Sequence, residues 1–70
     1  MKHEPYFAIK GYQIIKQVSD DDISTRLGIT TRTLWNKING RSDFTASEAK
    51  ILSEMLGVSQ ASLFLTKNVS

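Results

Sequence analysis

Short segments that begin with a capping residue and end with a glycine divide the middle of this chain. Ser19 precedes a segment that ends at Gly28, Thr30 precedes one that ends at Gly40, and a further segment follows Thr45. Serine and threonine accept hydrogen bonds from the free N–H groups that open a helix, and glycine adopts the left-handed conformation that closes one. The pattern therefore predicts short helices over about residues 20–27 and 31–39, joined by a tight turn that contains Gly28.

The flanking segments also have helical spacing, and no segment alternates as a strand does. We expect Pro5 in the first turn of the first helix, Thr45 and Glu48 as a capping box for the fourth, and Ser59 as the cap of a short fifth helix. The stripes expected to face the core are Phe7, Gly11, Ile14, Ile15 and Val18 (widened by Ile9 and Tyr12) in the first helix, Leu34 and Ile38 in the third, and Ala49, Leu52, Met55 and Leu56 in the fourth.

These elements predict one all-α domain of five helices over residues 1–70, with loose ends at 1–4 and 66–70. The chain has no cysteine and one histidine, which leaves no metal or catalytic cluster. We therefore expect no cofactor, no small-molecule substrate and no enzymatic activity. No apolar run approaches the roughly 20 residues of a membrane span, and no signal peptide is visible. We expect no membrane partner and a cytoplasmic location.

Charge is sorted along the chain. Residues 23–42 contain four cations and no acid, whereas Asp20, Asp21 and Asp22 come directly before them. The aspartates lie in the first turn of the second helix, where negative charge stabilises the helix dipole. The concentration of cations on one pair of helices favours a polyanionic partner over a solvated surface. The four cations are Arg26, Arg32, Lys37 and Arg41.

Two helices joined by a three-residue turn with glycine form a helix-turn-helix unit, whose second helix enters the DNA major groove. Here the unit spans about residues 19–40, and residues 19–45 resemble the Cro and phage-repressor (XRE-type, lambda-repressor-like) helix-turn-helix family. The resemblance implies a small regulator of a phage or prophage that binds double-stranded operator DNA as a homodimer inside a bacterial host. The matching positions are Ile23, Leu27, Gly28, Ile29, Thr30, Leu34, Asn39 and Gly40, followed by the basic Arg41.

The resemblance also assigns roles by position. It implies that base edges are approached by Thr31, Arg32, Trp35 and Asn36, and that backbone phosphates are approached by Thr30, Asn39 and Arg41. Arg32 is the strongest candidate because its forked donors match guanine, and Asn36 matches adenine in the same way. We expect Lys37 and Arg41 to contact phosphate without reading sequence, and Trp35 to be partly buried.

Three positions depart from the pattern of the family. Lys37 stands where a core aliphatic residue is usual, so either Ile38 takes its place by a small rotation or the helix packs differently. Ser24 stands at the expected small position of the second helix, which is a mild change. Asp20 stands where glutamine is frequent, and an aspartate triplet at that point repels phosphate.

The aspartates support a second hypothesis, in which the same fold binds a cognate phage repressor instead of DNA. Three carboxylates would attract the basic DNA-reading surface of such a protein. The apolar run near the end of the chain also exceeds what one helix face buries, which suggests a contact with a partner or a second copy. This alternative surface comprises Asp20, Asp21, Asp22, Leu63, Phe64 and Leu65. Of the two functions, we expect binding of operator DNA.

Overall fold

Five helices follow one another in the structure, a computed structural model that describes residues 4–64. They are α1 (Phe7–Lys16), α2 (Asp20–Leu27), α3 (Thr31–Ile38), α4 (Ala46–Leu56) and α5 (Gln60–Leu63). No strand is present between residues 4 and 64, so the all-α prediction is confirmed for that range. None of these helices has the length and apolar character needed to cross a membrane. The expectations for Leu65 and for the ends at 1–3 and 66–70 lie outside the described residues.

The predicted helix starts are confirmed by side-chain hydrogen bonds. The Asp22 N–H donates to Ser19 Oγ at 3.1 Å, and the Ser19 N–H donates back to the Asp22 carboxylate at 3.3 Å, which completes a capping box. Thr30, Thr45 and Ser59 likewise accept a backbone N–H at the start of α3, α4 and α5, and at α4 Glu48 completes a second capping box. Such caps satisfy N–H groups that have no partner inside the helix.

The turn between α2 and α3 is as short as expected. Gly28 ends α2 in the left-handed conformation, at φ +72°, where a side chain would strain the backbone. Thr30 then opens α3 directly, and α3 ends at Ile38 with Asn39 as the cap, one residue earlier than expected. Because so few residues connect them, α2 and α3 are held against each other.

Helix α4 is the centre of the fold, because α1, α2 and α5 all pack against it. Leu52 and Leu56 are buried at the middle of α4, and Leu34 and Ile38 bring the inner face of α3 to the same cluster. The stripes predicted for α3 and α4 are therefore confirmed, with Met55 only partly buried. Burial of such side chains is the main favourable term in a domain of this size.

The stripe predicted to bury α1 is wrong for Phe7, Ile14 and Ile15, whereas Ile9, Tyr12 and Val18 contact the core as expected. Phe7, Ile14 and Ile15 are 53%, 79% and 71% exposed, whereas Ile9 is fully buried and Gln13 is 5% exposed. Helix α1 is thus turned so that nearly the opposite face meets the core. The prediction took the more continuous of two apolar stripes, and the structure buries the other.

Contacts made by Tyr6 explain the orientation of α1. Pro5 precedes the helix instead of lying in its first turn, and Tyr6 is the N-cap residue. The Tyr6 N–H donates to the carbonyl of Ile38 at 2.8 Å, and the Tyr6 ring lies edge-on to Phe64 with centroids 5.0 Å apart. Its hydroxyl donates to Asp43 Oδ1 at 3.0 Å. Burial, together with the hydrogen bond to Asp43 and its charge, raises the pKa of Tyr6 to about 12.

Lys37 is turned inward, which corrects the expectation that it contacts phosphate. Its Nζ donates to Glu48 Oε1 and to the carbonyl of Asp43, both at 2.9 Å. The Lys37 and Glu48 side chains are only 12% and 14% exposed. Ile38 lies in the core at 3% exposure, as expected if it takes the place of residue 37, and the rotation of α3 relative to the family stays a prediction.

Glu48 has two structural roles. Its Oε1 accepts from the Thr45 N–H at 2.9 Å, which closes the capping box of α4, and also from Lys37, which attaches α3 to α4. Burial by itself raises the pKa of Glu48. The hydrogen bonds from Lys37 and Thr45 and the charge of Lys37 outweigh burial, so the pKa lies below its usual 4.5.

The two isoleucines of α1 test which of its faces is buried. We expect Ile9→Ala to reduce the free energy of unfolding by about 2–5 kcal/mol, because it leaves a cavity in the core. The same substitution at exposed Ile14 should change it by about 0.5 kcal/mol or less. Denaturant titration of both variants measures the difference. An Ile14→Ala variant as destabilised as Ile9→Ala would restore the orientation expected from the sequence.

The shifted pKa of Glu48 predicts a pH-dependent stability. Because the folded pKa is lowered, the ionised carboxylate contributes stability above pH 4.5, and this contribution is lost as the pH falls through the folded pKa. Glu48→Gln keeps the shape and the capping acceptor but removes the charge. We expect it to cost on the order of 1–3 kcal/mol at neutral pH, with the difference from wild type narrowing below pH 4.5.

The matched control is Glu54→Gln, which changes an exposed carboxylate on the same helix. It should alter the free energy of unfolding by about 0.5 kcal/mol or less at neutral pH. A Glu48→Gln variant that is as stable as Glu54→Gln at neutral pH would show that the ion pair does not attach α3 to α4.

Candidate functional site

An open cleft of about 480 Å³ lies along the outer side of α3, lined by Asp20, Thr31, Arg32, Trp35 and Arg41. Position along α3 accounts for the three members from that helix. Since Leu34 and Ile38 face the core, Arg32 lies on the opposite side of α3 and Trp35 lies on its flank, while Thr31 is exposed at the first position of the helix. Four of the residues predicted to contact DNA are thus brought together at one surface: Thr31, Arg32, Trp35 and Arg41.

Two arginines give the cleft its positive charge. Arg32 is exposed in the first turn of α3, which contains no acidic residue. Within residues 4–64, its guanidinium has no ion-pair or hydrogen-bond partner. Arg41 follows α3, and its guanidinium lies 5.4 Å from the centroid of the Trp35 ring, a distance typical of a cation–π contact. Both cations are therefore available to an anionic ligand.

Trp35 forms the apolar part of the cleft. It is 47% exposed, in agreement with the expected partial burial. The Arg41 N–H donates to the carbonyl of Asn36 at 2.9 Å, which holds the backbone of Arg41 beside the end of α3. An aromatic ring with one face toward Arg41 and an exposed edge presents both apolar and cationic contacts to a ligand.

The other predicted DNA contacts are placed differently. Thr30 Oγ1 accepts from the Thr33 N–H, and the Asn39 side-chain amide donates to the carbonyl of Trp35, so both side chains cap α3. Asn36 is partly exposed, is not among the residues lining the cleft, and its side chain makes no hydrogen bond within residues 4–64. Lys37 is withdrawn into its pair with Glu48. The phosphate contacts expected for Thr30 and Asn39 remain predictions.

Asp20 lines the cleft together with the residues predicted to contact DNA, which agrees with the expectation that an aspartate at this position faces phosphate. Its carboxylate accepts from Gln13 Nε2 at 2.8 Å and from Lys10 Nζ at 2.9 and 3.1 Å. The hydrogen bonds from Gln13 and Lys10, with the charge of Lys10, outweigh partial burial and lower the pKa of Asp20. The carboxylate is thus ionised at neutral pH, and Lys10 offsets its charge beside the two arginines.

Lys10 and Gln13 support the candidate site through Asp20 and were not predicted from the sequence. Gln13 is 5% exposed, and it also donates to the carbonyl of Val18 at 3.2 Å. Its Oε1 is buried with no partner within the described residues, which costs on the order of 1–3 kcal/mol. Gln13 is a polar residue on the buried face of α1, and such a residue indicates a buried polar contact. The sequence could give this indication only if the buried face of α1 were already known.

The alternative protein-binding surface is not contiguous. Asp20 faces the cleft of α3, whereas Asp21 and Asp22 line a different depression beside Arg26. The partner role predicted for Leu63 is wrong, because Leu63 is fully buried in the core. Phe64 is partly buried in an aromatic cluster with Tyr6 and Phe44, and Leu65 lies outside the described residues.

In the part of the chain that the structure describes, no group of three or more His, Cys, Asp or Glu side chains is placed to hold a metal ion. Comparison of the chain with protein-family models, with curated proteins and with solved structures found no match.

Proposed function

We propose that the protein is a sequence-specific DNA-binding regulator of the Cro and phage-repressor kind, in which α2 and α3 act as a helix-turn-helix unit. The observation that carries the proposal is the cleft of α3, where two available arginines flank an exposed tryptophan. A binding function is favoured over catalysis because the residues lining this cleft include no nucleophile paired with a base.

The geometry of α3 is compatible with entry into the major groove. An α-helix with its side chains is about 10–12 Å in diameter, and the groove is about 12 Å wide and admits one helix. In helix-turn-helix units the N-terminal residues of the second helix contact base edges. In α3 these are Thr31 and Arg32, both exposed and both in the cleft.

The remaining cleft residues fit complementary roles. Arg41, which leaves α3 at its far end, suits a phosphate contact that positions the helix without reading sequence. Trp35 suits an apolar contact, such as the methyl group of thymine. Asp20 opposes phosphate, and its pairing with Lys10 reduces that repulsion.

The alternative function, binding of a cognate phage repressor, has weaker support. It required three aspartates on one surface together with an apolar end of the chain. Asp20 is paired with Lys10 on another side, and Leu63 is buried, so Asp21 and Asp22 are its remaining support among residues 4–64.

Arg32 provides the first test of DNA recognition. Sequences bound by the wild-type domain are selected from a random duplex library, and affinities for the preferred duplex and for single-base variants are then measured. We expect Arg32→Ala to lose discrimination at one base position, worth about 1–3 kcal/mol, because its bidentate contact with guanine is removed. Arg41→Ala should weaken binding to all duplexes alike and reduce the salt dependence.

Lys50→Ala is the matched control, since it removes the same charge from an exposed site on α4 outside the cleft. It should leave base preference unchanged. Selection of no preferred sequence, or an equal loss of discrimination in the Lys50→Ala variant, would contradict the proposal. Weak, sequence-blind DNA binding combined with tight binding to a phage repressor would favour the alternative.

Asp20 and Asp21 offer a second comparison, because adjacent aspartates of one helix turn face different surfaces. Asn keeps hydrogen-bonding capacity while removing the charge. We expect Asp20→Asn to tighten binding to every duplex by a few-fold at low salt, because a carboxylate is removed from the cleft. Asp21→Asn should have a smaller effect. Equal effects of the two substitutions would show that DNA does not approach the cleft.

A further inference from the structure

Lys10 lies at the border of the cleft of α3, although it does not line the cleft itself. Its Nζ is 2.9 Å from Oδ1 and 3.1 Å from Oδ2 of Asp20, which is one of the lining residues. The two cations inside the cleft, Arg32 and Arg41, come from α3 and from the segment that follows it. Lys10 therefore brings a third cation to the same surface from a different helix, α1.

One N–H of the Lys10 ammonium remains available to a ligand. A lysine ammonium has three donors, and Lys10 directs two hydrogen bonds to the carboxylate of Asp20. Within residues 4–64 it has no other acceptor. Its side chain is 46% exposed, so solvent reaches the ammonium. Lys10 can thus bind a second anion without leaving Asp20.

The ion pair between Lys10 and Asp20 orders the lysine more than it stabilises the fold. Both side chains are about half exposed, and water screens pairs of this kind so strongly that they contribute little stability. A free lysine has a flexible side chain, which a ligand must immobilise when it binds. Because Asp20 already holds Lys10, a second anion binds the ammonium with a smaller loss of conformational entropy.

The carboxylate of Asp20 is itself held by a buried residue. Gln13 donates from Nε2 to Asp20 Oδ1 at 2.8 Å and to the carbonyl of Val18 at 3.2 Å, while its Oε1 is buried with no partner among the described residues. Asp21, in the same turn of α2, has no such donor within residues 4–64. An acidic residue that only stabilises the helix dipole does not need these contacts. They are explained if Asp20 must be fixed in order to fix Lys10.

Phosphate is the anion that fits this border of the cleft. The charged side chains there are three cations, Lys10, Arg32 and Arg41, and one carboxylate, Asp20. An anion is therefore attracted on balance, although Asp20 repels it locally. A phosphate backbone follows each edge of a major groove, so a helix in the groove has phosphates on both sides. Arg41 suits a phosphate near the end of α3, and Lys10 suits another beside α1.

From these observations we propose that Lys10 binds a backbone phosphate of the DNA, with its ammonium positioned by Asp20 and its remaining N–H donated to a phosphate oxygen. This inference rests on the proposed function, and it extends the DNA-contacting surface from α2 and α3 to α1. Asp20 then has a positioning role that accompanies its repulsion of phosphate.

The salt dependence of binding to the selected duplex tests the proposal. We expect Lys10→Gln to weaken binding by about three- to tenfold at moderate salt and to reduce the slope of log K against log salt by about one, because one phosphate contact is lost. Lys10→Arg, which keeps the charge and the donors, should restore both. Base preference should be unchanged in both variants, because a phosphate contact reads no sequence.

Lys16→Gln is the matched control, since it removes the same charge from an exposed residue of the same helix that has no partner among residues 4–64. It should leave the slope nearly unchanged. Circular dichroism of each variant verifies that the helices remain formed. Equal effects of Lys10→Gln and Lys16→Gln would overturn the proposal, because the loss would then reflect net charge and not a contact.

A second comparison separates a direct contact from simple neutralisation of Asp20. We expect Lys10→Gln to weaken binding in the Asp20→Asn background as well, because the phosphate still loses its donor. If Lys10 acts only by offsetting the charge of Asp20, Lys10→Gln should cost no more than Lys16→Gln in that background. That result overturns the proposal.

Duplexes in which one phosphate at a time is replaced by an uncharged methylphosphonate locate the contact. We expect one position at which this replacement weakens binding of the wild type and of Lys16→Gln but has no further effect on Lys10→Gln. If Lys10→Gln is as sensitive as the wild type at every position, the inference is wrong while the proposed function stands. A wild type that selects no preferred duplex would overturn the proposed function and this inference together.

Discussion

The hydrogen bonds of one carboxylate oxygen determine which side of α3 faces solvent. Glu48 Oε1 accepts from the backbone that opens α4 and from the ammonium of Lys37 on α3. Since Lys37 is held inward, Ile38 completes the core beside Leu34 and the opposite side of α3 faces solvent. A buried ion pair is weak evidence for stability, but breaking one leaves an uncompensated charge. The Lys37–Glu48 pair fixes the orientation of α3 about its own axis, which apolar contacts alone would define less sharply.

A second polar arrangement links α1 to the same surface. Lys10 and Gln13 hold the carboxylate of Asp20 at the edge of the cleft, and Gln13 leaves a buried acceptor without a partner among the described residues. Unsatisfied buried groups are uncommon, and they concentrate where a protein trades stability for another property. The charge at the cleft therefore depends on a helix that does not itself line it.

Most of the fold could be predicted from the sequence because its signals are local. Ser19, Thr30 and Thr45 cap helices by bonds that span three residues, and Gly28 ends α2 through its own backbone angle. The face of α1 could not be predicted in this way. It offers two apolar stripes, and the choice between them depends on Tyr6 reaching the carbonyl of Ile38, far away in the chain.

In the candidate site, too, the features set by local sequence could be predicted, and those set by distant residues could not. The outward positions of Arg32 and Trp35 follow from the period of α3 alone, and Thr31 is exposed because it opens the helix. The withdrawal of Lys37 depends on Glu48, eleven residues later. Asp20 is likewise separated from Asp21 and Asp22 by contacts with α1, because Lys10 and Gln13 donate hydrogen bonds to Asp20.

The position of Trp35 makes the candidate site optically visible. It is the only tryptophan in the chain, and it lies half exposed in the cleft beneath the guanidinium of Arg41. The tryptophan emission of the protein therefore originates at the one surface proposed to meet a ligand. A ligand that displaces water or the arginine from that ring would change the wavelength and intensity of the tryptophan emission without any added label.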